Sequence, residues 1–235
     1  MKLSINEKLL KRNKTIAQYS LYGAIALIAG GLLLTLTNSK NEDLVTSLSY
    51  LILLPAYILM QVNAMMMHKW GKSPREDEIV TNALKGLDNR YSLYHYTTPV
   101  SHLLVGPSGI WIINAFHQQG KITYDESKKR YVQKGGGNFL SKIFALDSLS
   151  DIERESNKQR KLLEKYLQEI DVRDNPEAVV ANVFYHRDTK VDAKNAHELT
   201  MHISKLKDLI RQKGKTASNK SVWIEKLQSK LPETE

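Results

Sequence analysis

The sequence contains no cysteine and has fewer acidic than basic residues. Without cysteine the chain can form neither a disulfide framework nor a thiolate metal site, which suits a protein that faces the cytosol. The 34 lysines and arginines outnumber the 25 aspartates and glutamates, which gives a formal net charge of +9. This excess favours anionic partners, either nucleic acid or acidic lipid head groups; the alternative is a soluble surface that is basic without a binding role.

Charged residues are also missing from two long apolar stretches in the first third of the chain. They cover residues 19–37 and 44–67, and the short polar segment Asn38–Asp43 separates them. Each approaches the ~20 residues that a helix needs to cross ~30 Å of hydrocarbon, and a membrane helix tolerates Pro55. A signal peptide would lack the second stretch, and a helical hairpin buried in a soluble core is the other alternative. We expect a transmembrane helical hairpin.

The charges that flank this hairpin predict its orientation. Residues 1–18 form a basic segment, and the segment His68–Lys72 after the second stretch is basic too, whereas the connecting loop is not. The positive-inside rule then places both termini in the cytoplasm, with the hairpin in the cell (inner) membrane. We expect a cytoplasmic domain over residues 74–212 and a basic, partly flexible C-terminal tail over residues 213–235.

Helical and strand patterns alternate after the hairpin. Apolar residues at three- to four-residue spacing predict helices over 74–87, about 150–170 with Ser150 as N-cap, and about 201–210. Residues rich in β-branched and aromatic side chains predict strands over 91–96, 100–105, 110–116, 122–124, 128–132 and 178–185. This order predicts an α/β fold in which helices flank a mixed central β-sheet.

The segment 98–122 contains the clearest β-hairpin. Turn-forming residues at Gly106–Gly109 separate its two strands, so that Val105 faces Ile110 and Ser101 faces Asn114. Because side chains alternate along a strand, Ser101 and Asn114 share one face with Phe116. His102 points to the opposite face, where we expect a hydrogen-bonded core histidine.

Several motifs of this segment resemble the nuclease-related domain, NERD. They are the acidic residues before Val80, Leu84 and Leu87, the hairpin SHLLVGPSGIWII at residues 101–113, and Gly120–Ile122. The resemblance covers roughly residues 74–212. It implies a restriction-endonuclease-like PD-(D/E)XK fold and Mg²⁺-dependent hydrolysis of phosphodiesters.

The resemblance also implies where catalytic residues would stand, and this sequence differs there. Ser101 replaces the family's aspartate, whereas Asn114 and Phe116 replace the glutamate and lysine of its Glu-x-Lys motif. Of the helix acids Glu76, Asp77 and Glu78, Asp77 has the best spacing for the remaining position. A hydroxyl and an amide bind a hard dication poorly, and phenylalanine carries no charge. We therefore predict vestigial site positions, no metal or cofactor, and no catalysis.

The predicted function is that of a membrane-anchored NERD-like protein that binds nucleic acid or a protein partner at the cytoplasmic membrane face. Basic residues are the candidates for binding nucleic acid or anionic lipid: Lys121, Lys128, Lys129, Arg130, Lys205, Lys207 and Arg211. One alternative is an active metal-dependent nuclease with a relocated metal site, in which nearby groups such as Lys121, Asp125 or Glu126 substitute for the missing residues. His117 is a poor candidate for this, because strand alternation points it to the opposite face from Asn114. The other is a structural membrane interaction protein.

Overall fold

A computed structural model describes residues 1–37, 42–71, 73–136, 149, 151–172, 177–216 and 221–233. The chain divides into two compact units. One unit combines Met1–Asn6 with Asp77–Glu235, and the other is Glu7–Glu76.

The unit Glu7–Glu76 is built from two long helices, α1 (Glu7–Thr37) and α2 (Glu42–Met66), and a π-helical turn follows at Met67–Gly71. Both helices are long and apolar enough to span a membrane. Small side chains are buried where the helices meet: Ala17, Ala24 and Ala56. Two polar contacts also join the helices, from Asn63 Nδ2 to the Ala17 carbonyl (2.7 Å) and between the Thr35 and Ser49 hydroxyls (3.1 Å).

Two β-sheets form the frame of the other unit. The six-stranded sheet has the order β1-β2-β3-β4-β7-β9, and the three-stranded sheet has the order β6-β5-β8. The strands are β1 (Lys2–Ile5), β2 (Ser92–His95), β3 (His102–Gly106), β4 (Gly109–Phe116), β5 (Lys121–Asp125), β6 (Arg130–Lys134), β7 (Val179–Phe184), β8 (Lys190–Asp192) and β9 (Leu199–His202). The parallel pairs are β1–β2, β4–β7, β7–β9 and β5–β8, so the sheets are mixed as predicted.

Helices cover both faces of the large sheet. They are α3 (Glu76–Leu84), α4 (Ile152–Glu169), α5 (Leu206–Thr216) and α6 (Ser221–Lys230). On one face, α3 and α5 bury Leu84 and Ile210 against Leu104. On the other face, α4 and α6 bury Leu167 and Leu227 in a second cluster. This arrangement confirms the predicted α/β fold class.

Several boundaries differ from the sequence-based prediction. The N-cap of α4 is Asp151, whose side chain accepts the Arg154 N–H, and not Ser150, which lies outside the described residues. Met201 was expected in a helix but lies in β9, because a parallel partner strand, β7, is available beside it. The predicted hairpin loop is shorter than expected, since Gly106 and Gly109 already pair as strand residues.

The two ends of the chain contribute to the packed unit. The segment 1–18, expected as a basic tail, contains β1 and the first turns of α1. β1 pairs with β2 from Lys2–Ser92 to Ile5–His95. Within residues 213–235, helix α6 buries Ile224 and Leu227. Tertiary partners order these segments, which are too short to be stable by themselves.

Candidate functional site

The hairpin β3–β4 has the predicted register. Leu103 faces Ile112 and Val105 faces Ile110 around a two-residue turn, Pro107–Ser108. Gly109 adopts a φ of 106°, which favours glycine. The register therefore brings Ser101 and Asn114 to the same face of the sheet, on the side covered by α4.

Asn114 is part of a buried network of amides and a hydroxyl. It pairs with Asn182 of the parallel strand β7, and its Nδ2 donates to Asn182 Oδ1 over 3.0 Å. Ser156 of α4 donates its hydroxyl to the same oxygen, also over 3.0 Å. Asn182 and Ser156 are fully buried, and Asn114 is 6% exposed. The amide of Asn114 is thus used in a protein contact.

Phe116 lies two residues further along β4, where a catalytic lysine would stand in the resembling family. Its ring stacks on Phe184 of β7 with a centroid distance of 5.4 Å. Both rings are buried, in a cluster that also contains Ile122 and Ile152. We call Asn114, Phe116, Ser156, Asn182 and Phe184 the amide–aromatic end of the sheet.

Ser101 connects to α4 through its backbone. Its N–H donates to Gln159 Oε1 over 3.4 Å, and Gln159 Nε2 donates to Glu155 Oε1 over 2.7 Å. Lys158 is 3.8 Å from the second oxygen of the Glu155 carboxylate. The Glu155 carboxylate near Ser101 is therefore already in contact with two partners, Gln159 and Lys158.

Asp77 is buried on α3, which packs on the opposite face of the sheet from Asn114. One turn further along α3, Thr81 hydrogen-bonds to Nε2 of His95 over 2.8 Å. The Nδ1 atoms of His95 and His102 are 2.7 Å apart. His102 is therefore a buried, hydrogen-bonded histidine, as predicted. The structure brings Ser101 and Asn114 to α4 but assigns Asp77 to a helix on the other face.

The residues at the amide–aromatic end do not fit Mg²⁺. This ion prefers carboxylate, phosphate and water oxygens in octahedral geometry, whereas the groups present are amides, hydroxyls and aromatic rings. Among the described residues, no three His, Asp or Glu side chains are grouped so that they could hold a metal ion.

The proposed substitutes for the missing acids are used in other contacts. Asp125 caps the β5–β6 turn, where it accepts from Ser127 and from the Lys128 N–H. Glu126 accepts a hydrogen bond from Asn195. Lys121 forms an exposed ion pair with Asp192 over 3.9 Å. These contacts give no support to a relocated metal site.

Apart from Lys121, the basic candidate residues fall into two groups. Lys128, Lys129 and Arg130 are exposed at the β5–β6 turn. The second group surrounds the start of α5: Lys205, Lys207 and Arg211. Lys207 and Arg211 donate to the carbonyls of Lys85 and Gly86, over 3.4 and 2.7 Å. These two side chains therefore satisfy carbonyls at the C-terminal end of α3, as cations often do at that position.

A further set of cations was missed by the sequence analysis. Arg154, Lys158, Lys161 and Lys165 are all exposed on α4. Their spacing of four, three and four residues places them on one side of a helix, so the predicted helix at 150–170 already contained the signal. We call these four residues the basic stripe.

Tyrosine hydroxyls link the three-stranded sheet to α4 and to the six-stranded sheet. Tyr124 donates to Glu153 of α4 over 2.7 Å, and this hydrogen bond raises the pKa of Tyr124 to about 12. Tyr131 pairs with the Thr200 hydroxyl over 2.7 Å. Burial raises the pKa of Tyr131, although its hydrogen bond to Thr200 acts in the opposite direction.

Comparison with protein families matches residues 75–187 to the model of the nuclease-related domain. This range begins just before α3 and ends just after β7, so it contains the whole amide–aromatic end. No curated protein and no solved structure matches the chain.

Proposed function

We propose that this protein, whose residues 75–187 match the nuclease-related domain (NERD), is a membrane-anchored, non-catalytic protein of that kind which binds nucleic acid at the cytoplasmic membrane face. The observation that carries the proposal is the amide–aromatic end. Phe116 stacks on Phe184 and the Asn114 amide binds Asn182, where hydrolysis would need carboxylates and a lysine.

The packing of this end supports the loss of catalysis. A metal-dependent nuclease needs an ion that generates the nucleophile and stabilises charge on the phosphate. Phe116 is 8% and Phe184 0% exposed, so a phosphodiester could not approach this part of the strands without displacing core side chains. The neutral groups would also give such a substrate no electrostatic stabilisation.

The charge of the chain supports an anionic partner. A net charge of +9 produces a positive potential that raises the local concentration and the association rate of polyanions. Double-stranded DNA carries one negative charge per ~1.7 Å of helix axis, and phosphate contacts supply most non-specific affinity for nucleic acid.

The path of the chain supports the membrane topology. Met1–Asn6 and Asp77–Glu235 belong to one folded unit, joined by the parallel pair β1–β2. If the intervening segment 7–76 crosses a membrane, it must return to the same compartment, which two crossings allow and one crossing does not. The basic flanks support a cytoplasmic position for that compartment, in line with the positive-inside rule.

Two assays on the full chain in nanodiscs of zwitterionic lipid test the proposal. Cleavage of labelled DNA and RNA is measured with Mg²⁺ or Mn²⁺ and with a chelator, and we expect no metal-dependent product. Binding of the same nucleic acids is measured by anisotropy at increasing salt, and we expect the affinity to fall as salt rises.

Each opposite result identifies another function. Chelator-sensitive cleavage would establish an active nuclease with a relocated site. If no nucleic acid binds in a salt-dependent way, the result would favour the other alternative, a structural membrane interaction protein. Either result would contradict the proposal.

A further inference from the structure

The basic stripe faces directly away from the core. Helix α4 buries Ile152, Leu163 and Leu167, while the cations of the stripe are all exposed. At 3.6 residues per turn, residues 154, 158, 161 and 165 lie within about 60° of one another around the helix axis, opposite the buried side chains. The stripe is therefore straight, and a packed helix holds it in place.

The dimensions of the stripe match a nucleic-acid backbone. At 1.5 Å per residue, its four cations extend over about 16 Å. One strand of a duplex carries a phosphate about every 3.4 Å along the axis, so this length corresponds to roughly five phosphates. The stripe lies on an open surface of α4, to which Asn157 adds an amide that can donate hydrogen bonds.

Acidic groups also lie near the stripe. Asp151 and Glu153 border the same surface, where Asp151 caps α4 and Glu153 accepts a hydrogen bond from Tyr124. Two cations have exposed carboxylate partners at 3.8 Å, in the pairs Lys158–Glu155 and Lys165–Glu169. Exposed pairs of this kind contribute little and are easily exchanged for a phosphate. Within the described ranges, no carboxylate lies within ion-pair distance of Arg154 or Lys161.

We propose that the basic stripe is the surface on which the protein binds the phosphodiester backbone of nucleic acid, without regard to base sequence. This inference rests on the proposed function and names its binding site. Arginine and lysine are the side chains that contact phosphates, and none of the described residues that line this surface is aromatic.

The same surface is less suited to a lipid bilayer. An interfacial helix places apolar side chains between lipid head groups while its cations remain at the surface. The apolar side of α4 is buried in the protein, and Leu162, at the side of the stripe, is only partly exposed. The stripe can therefore attract anionic lipid only through charge, whereas a nucleic-acid strand can lie along its full length.

A fourfold glutamine variant tests the assignment in the full chain: Arg154→Gln, Lys158→Gln, Lys161→Gln and Lys165→Gln. In zwitterionic nanodiscs, anisotropy is measured with a labelled DNA single strand and duplex between about 50 and 200 mM salt. Four phosphate contacts on a duplex correspond to a slope of about −3.6 in log affinity against log salt. We expect the unchanged protein to lose roughly 100-fold in affinity over this range and the variant to show a nearly flat dependence.

A control variant removes the same charge from scattered exposed positions: Lys134→Gln, Arg187→Gln, Lys190→Gln and Lys226→Gln. We expect it to keep most of the salt dependence, because its cations do not form a line. A single Lys161→Gln change should reduce the slope by about 1.

The outcomes separate this inference from the function on which it rests. If the unchanged protein binds no nucleic acid, the proposed function fails together with the stripe. If it binds and the stripe variant binds equally well, or the control loses as much, only the assignment of the stripe is overturned. A loss that requires Lys128, Lys129 and Arg130 instead would overturn it as well. So would hydrogen exchange of α4 that responds to anionic lipid in the disc but not to DNA.

Discussion

Helix α4 separates two regions of opposite character. Its inner side chain Ser156 completes the amide–aromatic end, which is buried and neutral. Its outer side chains Arg154, Lys158 and Lys161 belong to the basic stripe, which is exposed and charged. At this end of the sheet, the resemblance to NERD implies charged catalytic residues, whereas this chain has neutral side chains that pack against one another. The charge that can meet a phosphate lies on the other side of the same helix.

The difference between these regions has a simple physical basis. A charge can be buried only with compensating partners or a metal, whereas amides and rings are accommodated by hydrogen bonds and stacking. Once the acids and the lysine are absent, the amide–aromatic end can close and stabilise the fold. Cations on an exposed helix face need no such compensation and remain available for ligands.

The largest expected effect comes from restoring charge at the closed end. The double variant Asn114→Glu, Phe116→Lys loses the Phe116–Phe184 stack and places two ionised groups among buried side chains. We expect the free energy of unfolding to fall by about 4 kcal/mol or more, with no gain of nuclease activity. Hydrogen exchange of β4 and β7, together with a cleavage assay in Mg²⁺, measures both.

The matched variant Phe116→Leu keeps the position apolar and should cost far less than the double variant. A stably folded double variant that cleaves DNA when Mg²⁺ is present would contradict the view that the amide–aromatic end is closed to catalysis.

A smaller effect is expected from the amide network. Asn182→Ala removes the oxygen that accepts hydrogen bonds from Asn114 and Ser156. Because both donors are buried, we expect a loss of about 1–3 kcal/mol in unfolding free energy. Denaturant unfolding followed by hydrogen exchange of β7 gives this value. The exposed α4 variant Asn157→Ala should stay within about 0.5 kcal/mol of the unchanged protein, and equal losses in both variants would contradict a structural role of the network.

The smallest expected effect concerns the hydrogen bond from Tyr124 to Glu153, which lies between the two regions. The bond raises the pKa of Tyr124 to about 12, so the folded state holds this proton more tightly than the unfolded chain does. Its contribution to stability is complete below about pH 10, the usual tyrosine value, and is lost as the pH rises towards 12.

The variant Tyr124→Phe should remove this part of the alkaline loss. Thermal unfolding midpoints measured as the pH is raised, with phenolate absorbance as a second readout, test the expectation. A variant whose midpoints follow the same alkaline curve as the unchanged protein would show that the hydrogen bond has no linked effect.

Much of the fold follows from local pattern. The register around Pro107–Ser108 is fixed by strand alternation and by turn-forming residues, so the pairing of Val105 with Ile110 was predictable. The two long apolar helices were predictable in the same way, because length and the absence of charge are properties of the chain. Of the strands in the described residues, β1, β8 and β9 were not predicted from the sequence. They have three or four residues each, which is too short for a periodic pattern to be recognised.

The sequence by itself determined which groups are available at the candidate site: Ser101, Asn114 and Phe116 carry no charge wherever they lie. Only the tertiary structure decided their surroundings. Asn182 meets Asn114 from a strand 68 residues away, and Phe184 meets Phe116 in the same parallel pair. Residue types act through their own chemistry, whereas burial and partners arise from long-range pairing that no local pattern records.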